Sequence, residues 1–156
     1  MDDALQRIRS VADYQFGKGV GRALFPKNVK IVFSRKTSRI RYVYLEDKRV
    51  ATMRPTDGFF SLSISGAKRI ANSKQQARCF VTVRSDIGKF IVEGGDVFAT
   101  HVITADDEIR AKDEVIVFDE KSKVLAVGRA ILSGEEMKAF KRGVAVKVRR
   151  GCLQES

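Results

Sequence analysis

Asp113-Glu-Val-Ile-Val-Phe-Asp119 is followed, after a polar turn at Asp119 to Ser122, by Val124-Leu-Ala-Val-Gly-Arg-Ala130. Val115 to Phe118 is four consecutive apolar residues between acidic ones, too short for a helix and rich in β-branched side chains, so it reads as a buried strand. The run from Val124 to Ile131 returns as a second strand, which Gly128 interrupts as a bend or bulge would. Working outward, Phe80 to Val83 forms an upstream strand and Val102-Ile103 a short one, preceded by a helical turn at Gly95 to Ala99. Downstream, Ser133 and Glu136 have capping-box spacing for a helix over 134–141. Gly143 ends that helix, and Val144, Val146 and Val148 alternate with Ala145, Lys147 and Arg149 in a last strand. So many short strands with so little helix predict a small mixed barrel.

The first half follows a different plan. Leu5, Ile8, Ala12 and Val11 predict an amphipathic helix over residues 3–14. After Gly17-Lys-Gly-Val-Gly21 the apolar period becomes two: Val29, Ile31 and Phe33 form one strand, and Ile40, Tyr42 and Tyr44 the next, with a turn at Ser34 to Ser38. Val50 to Met53 and Phe59 to Ile64 follow, separated by the turn residues Pro55-Thr-Asp-Gly58. Ser65 is the expected N-cap of a short helix through Ala71, and Asn72 to Gln76 the expected linker. The expected class is α+β: an α/β domain over residues 1–76, with an antiparallel sheet and flanking helices, then a small pseudo-barrel over 77–156.

Charge separates the halves more sharply than pattern does. Residues 1–78 hold 17 Lys and Arg against 6 Asp and Glu, whereas residues 79–156 hold 13 of each, so the formal charge of +11 belongs entirely to the first half. A field so one-sided attracts a polyanion. Lys30, Arg39 and Arg41 are expected on one face of the first hairpin, opposite Ile31, Ile40 and Tyr42, with Arg35 and Lys36 at its turn. Phosphates would turn the mutual repulsion of these cations into attraction; the alternative is a solvated face that blunts an edge strand. Most phenylalanines, Phe33, Phe90 and Phe140 among them, are expected in the core, as are Tyr42 and Tyr44. Tyr14, Phe16 and Phe98 are left open.

Other chemistries find little support. His101 is the only histidine, so no histidine metal cluster or two-histidine relay can be built, and neither a metal nor a cofactor is expected. Asp106-Asp-Glu108 lacks the spacing of a calcium loop. Gly17-Lys-Gly-Val-Gly21 lacks the spacing and the preceding strand of a phosphate-binding loop. Gly94 and Gly95 either open a short helix whose free N–H groups meet a phosphate or simply supply unusual dihedrals. Two widely separated cysteines argue against a disulfide framework. With no apolar window long enough to span a bilayer and an acidic start to the chain, a cytoplasmic protein without a membrane partner is expected.

Phe90-Ile-Val-Glu-Gly-Gly-Asp-Val-Phe98, the 113–119 and 125–130 strands, and Gly143-Val-Ala-Val-Lys-Val-Arg149 together resemble a PUA domain, the RNA-binding module of pseudouridine synthases and archaeosine transglycosylases. Ala12-Asp-Tyr-Gln-Phe-Gly-Lys-Gly-Val-Gly21, Lys36-Thr-Ser-Arg-Ile-Arg41, Arg54-Pro-Thr-Asp-Gly58 and Leu62-Ser-Ile-Ser-Gly-Ala67 are similar to the domain that precedes PUA in archaeal archaeosine tRNA-guanine transglycosylases. The resemblance implies an RNA-facing loop at Gly94, Gly95, Phe98 and Thr100, with Lys147 and Arg149 on the last strand. It also implies a noncatalytic chain that binds the acceptor stem and 3′ end of tRNA, since a catalytic TIM barrel of about 250 residues does not fit within this length. A separate transglycosylase chain is then the expected partner. The alternative is a ribosome- or translation-associated interaction module.

Overall fold

The computed structural model describes residues 3–154. Contacts divide the chain into two compact units, Met1–Ala77 and Arg78–Ser156.

The first unit runs α1 (Asp3–Phe16), α2 (Val20–Leu24), β1 (Lys30–Phe33), β2 (Ile40–Leu45), β3 (Lys48–Met53), β4 (Phe60–Leu62) and α3 (Ile64–Asn72). The four strands form an antiparallel meander in sequence order. Helix α1 buries Ile8, Ala12 and Phe16, a strict i, i+4, i+8 stripe, while Leu5 and Val11 are only half-buried. Phe25 and Phe60 meet at 5.1 Å in the same core. Gln15 completes the edge of the sheet: its Nε2 donates to the Phe60 carbonyl and its Oε1 accepts from the Phe60 N–H, both at 2.8 Å. That side chain supplies the hydrogen bonds that a fifth strand would have made. Gly17 and Gly19, at φ 137° and 88°, turn α1 into α2. A Cβ on Gly17 would stand 2.7 Å from the Gln76 carbonyl, so this glycine stretch makes room for the segment that follows α3. Helix α3 is capped by Ser63, whose Oγ accepts from Gly66 N at 3.0 Å, and not by Ser65 as expected. The strand ends at Leu62, so the helix begins as soon as Ile64 turns into the core.

The second unit runs β5 (Phe80–Val83), α4 (Gly88–Ile91), β6 (Val97–Phe98), β7 (Val102–Ala105), β8 (Glu114–Phe118), β9 (Val124–Ala130), α5 (Gly134–Ala139) and β10 (Val144–Gly151). Its strands lie in the order β6-β10-β9-β8-β5-β7, a nearly closed barrel-like sheet in which β5 and β8 are parallel and the other pairs antiparallel. Val115 to Phe118 of β8 are all buried, as their unbroken apolar run requires, and Glu114 at the start of the strand is buried with them. The capping box at α5 is present, with Ser133 and Glu136 each bonding the other's backbone N–H. The helical turn expected at 95–99 is replaced by β6 and a single 3-10 turn over Ala99–His101, while a helix forms earlier, at α4.

Candidate nucleic-acid interface

In the first unit the strand register decides what the hairpin presents. Lys30 lies opposite Tyr44 and Val32 opposite Tyr42, but Phe33 lies opposite Ile40, so the pairing slips between Val32 and Phe33 and Arg41 becomes the extra residue of a bulge. Directly opposed residues share a face. Tyr42 and Tyr44 therefore stand with Lys30 and Val32 on one face, while Ile40 and Val43 are buried on the other. The expected burial of both tyrosines alongside Ile40 is thus corrected, and so is the placing of Tyr42 opposite Lys30 and Arg41. A single residue of slip exchanges the faces. The guanidinium groups of Arg41 and Arg49 lie 5.4 and 5.7 Å from the centre of the Tyr42 ring. A hydrogen bond from Arg41, reinforced by the charges of Arg41 and Arg49, holds the Tyr42 hydroxyl below the usual tyrosine pKa.

Beyond this face, Arg35, Lys36 and Arg39 are all exposed in the turn that the Arg39 carbonyl closes by accepting from Ser34 N at 2.7 Å. None of the three has an ion-pair partner within 4 Å among the described residues. Lys30, Arg35, Lys36, Arg39 and Arg41 are thus gathered on one hairpin, as expected. Arg49 was not foreseen. It sits beside Tyr44 only because Val50 is an extra residue in β3, a slip that no periodicity in the sequence discloses.

In the second unit Gly94 and Gly95 close α4 instead of opening a helix. Gly95 N donates to the Phe90 carbonyl and Gly94 N to the Ile91 carbonyl, both at 2.9 Å, with Gly94 at φ 105°. This paired helix ending consumes the two N–H groups that a phosphate would have needed. Of the two alternatives the phosphate cradle falls on that ground: Gly94 acts through its dihedral, and Gly95 leaves room for the Phe90 carbonyl, which would stand 2.8 Å from a Cβ there. Aromatic surface is more plentiful than expected: Phe90 is 60% and Phe98 45% exposed, and Phe33 and Phe140 also reach solvent, against their expected burial. Phe16, left open by the sequence, is fully buried, and Tyr14 stacks on Phe59 at 6.0 Å. Phe98 lies edge-on to His101 at 6.2 Å, next to exposed Thr100, and Lys89 stands 5.3 Å from the Phe90 ring. Lys147 is exposed and paired across the sheet with exposed Arg129. Arg149, expected to face RNA, is instead held by Glu114 through both terminal nitrogens. Cys79 is buried, which together with neighbouring carboxylates pushes its thiol far above the ordinary range.

The chain has two units, one with a cationic hairpin beside tyrosines and one a barrel-like sheet with exposed aromatics, surfaces whose charge and rings suit a nucleic acid. Residues 6–76 match the patch-forming domain C2 of tRNA-guanine transglycosylase, and residues 80–152 match the PUA domain. The chain thus carries a transglycosylase C2 domain followed by a PUA domain. More particularly, it is 44% identical over 149 residues to the tRNA-guanine(15) transglycosylase of Methanobrevibacter smithii, a match that covers 96% of this chain and 23% of that relative. It therefore spans less than a quarter of the relative's length, corresponding to its C-terminal region. Among solved structures, a hypothetical protein from Pyrococcus horikoshii superposes with a TM-score of 0.73 and 26% identity, covering 94% of this chain and 89% of that one. A conserved PUA domain protein from Thermoplasma acidophilum shares the fold, with a TM-score of 0.67 at 22% identity over 96% of this chain and 88% of that one.

Proposed function

We propose that this chain is a noncatalytic RNA-binding protein. It holds tRNA by the acceptor stem and 3′ end, and it serves in trans a transglycosylase carried on a separate chain during archaeosine modification. The observation that carries this reading is the hairpin tip, where Arg35, Lys36 and Arg39 are exposed without ion-pair partners among the described residues. Exposed like charges held close together repel one another, and a phosphate backbone relieves the repulsion while releasing counterions. The PUA match and the name of the relative supply the RNA class, tRNA. In the second unit, Phe90, Phe98 and His101 offer rings on which unpaired terminal bases stack, while Lys147 and Thr100 offer polar contacts to backbone and sugar.

The test uses the full chain with tRNA transcripts that either carry or lack the terminal CCA, measured by anisotropy at two salt concentrations. Removing CCA is expected to weaken binding by about tenfold, the equivalent of one or two lost stacking contacts. Equal affinity for both transcripts would refute 3′-end recognition. If the chain by itself exchanged a base in tRNA, the noncatalytic assignment would fall.

A further inference from the structure

The open face of the first unit's sheet is more than a cationic surface. Helix α3 packs on the other face, so closely that a Cβ on Gly66 would stand 2.1 Å from the Val50 carbonyl. On the open face a depression of about 580 Å³ runs along β1 and β2, within the size range of small-ligand sites. Val32, Tyr42 and Tyr44 line it, with Lys30 at one side and the Glu46-Asp47 turn at the end. The tyrosine rings are 6.3 Å apart and inclined at 64°, so a flat ligand resting on one meets the edge of the other. Arg41 and Arg49 rest against Tyr42 and bring positive charge to the same face.

This combination selects its ligand by chemistry. Aromatic rings at half-exposed positions stack flat, unpaired bases. Lys30, Arg41 and Arg49 answer the phosphates on either side of such a base. Glu46 and Asp47 offer carboxylate oxygens as acceptors, so they favour a base edge that donates. The exocyclic amine of cytosine or adenine meets that demand, whereas uracil presents carbonyl oxygens at the corresponding position. Glu46 and Asp47 hold left-handed dihedrals, φ 51° and 68°, in the two-residue turn that joins β2 to β3, which sets their place at the end of the groove.

Building on the RNA-binding function proposed above, we infer that the groove on the open face of β1 and β2 is a binding site for one unpaired, amine-bearing nucleotide of the RNA. The base stacks on Tyr42 or Tyr44, its amine faces Glu46 and Asp47, and its flanking phosphates face Lys30, Arg41 and Arg49. It is distinct from the 3′-end surface assigned to the second unit. Its occupant is a looped-out or single-stranded position in the body of the RNA.

The experiment titrates the full chain into a single-stranded pentanucleotide with 2-aminopurine at its centre, and in parallel into C5, U5 and intact tRNA. Stacking is expected to quench 2-aminopurine, and Tyr44→Ala and Tyr42→Ala each to weaken pentamer binding by about tenfold. Tyr44→Phe and Tyr42→Phe keep the ring and should retain the quench, which separates stacking from any loss of folding. C5 should bind about fivefold more tightly than U5, and Glu46→Gln with Asp47→Asn should reduce that preference. If the pentamer is not quenched while tRNA still binds, the groove is no nucleotide site and is left to a polypeptide partner, and the tRNA-binding reading stands. If neither RNA binds, both fall. Equal binding of C5 and U5 with full quenching would overturn the amine selection.

Discussion

Glu114 on β8 accepts hydrogen bonds from Arg149 Nη1 at 2.9 Å and Nη2 at 2.5 Å, reaching across β9, which lies between their strands. The Glu114 side chain is fully buried and that of Arg149 41% exposed. Burial works against the Arg149 charge, but the charge and hydrogen bonds of Glu114 prevail and raise its pKa. Arg149 helps to make a buried carboxylate tolerable inside a strand. Arg149→Leu should therefore destabilise the protein by about 3 kcal/mol, the lower end for breaking a buried ion pair because Arg149 is partly solvated. Adding Glu114→Gln should recover much of that loss. Urea unfolding of both variants checks it, and an Arg149→Leu protein as stable as the parent would contradict this role.

The hairpin cations should act on RNA and not on folding. Replacing Arg35, Lys36 and Arg39 together with alanine should leave the free energy of urea unfolding within about 0.5 kcal/mol of the parent, as expected for surface positions. The same change should flatten the slope of log K against log salt for tRNA by up to about 3, since each lost duplex phosphate contact removes about 0.9. Titrations between 50 and 300 mM salt read it directly, and an unchanged slope would mean that the tip points away from the RNA.

Asp106 couples the stability of the second unit to pH. Its Oδ2 accepts from Phe80 N at 2.8 Å, and its own N–H donates to the Phe80 carbonyl at 3.0 Å. Burial raises its pKa, the Phe80 N–H opposes the rise, and neighbouring Glu108 and Asp107 add to it. A carboxyl whose pKa is raised by folding favours the native state below the unfolded value of about 3.9, and that contribution is lost as pH climbs through the folded pKa. Asp106→Asn keeps an acceptor for Phe80 N but does not titrate. The gap in stability between variant and parent should thus shift in the variant's favour from pH 4 to pH 7. Thermal unfolding at the two pH values decides it, and a constant gap would show that Asp106 does not control the dependence.

Two serines two residues apart should behave differently. Ser63→Ala removes the acceptor for Gly66 N at the start of α3 and should cost about 1 kcal/mol. Ser65→Ala lies in the first turn, where alanine is the better helix former, and should be neutral or slightly stabilising. Chemical denaturation of the two variants tests the assignment of the cap.

Much of the architecture was legible because its signals are local. The unbroken apolar run of β8, the Ser133–Glu136 box and the stripe of α1 each follow from neighbouring residues. What escaped was set by alignment between strands. The slip at Val32/Phe33 turned Tyr42 and Tyr44 outward, and the slip at Val43/Tyr44 brought Arg49 beside Tyr44. Likewise Gly94 and Gly95 look from sequence like the start of a helix, and only the carbonyls of Phe90 and Ile91 show that they end one.

The chain's residue order was enough to determine the two-part plan, the β-rich class, the placement of charge in the first half and the hairpin that carries it, because periodicity and net charge are properties of neighbours and sums. Only the tertiary structure decided that the tyrosines stand beside lysine and arginine over a groove, and that Arg149 serves Glu114. A strand's facing depends on which residue of another strand it meets, and one unpaired residue in a ladder reverses every side chain beyond it.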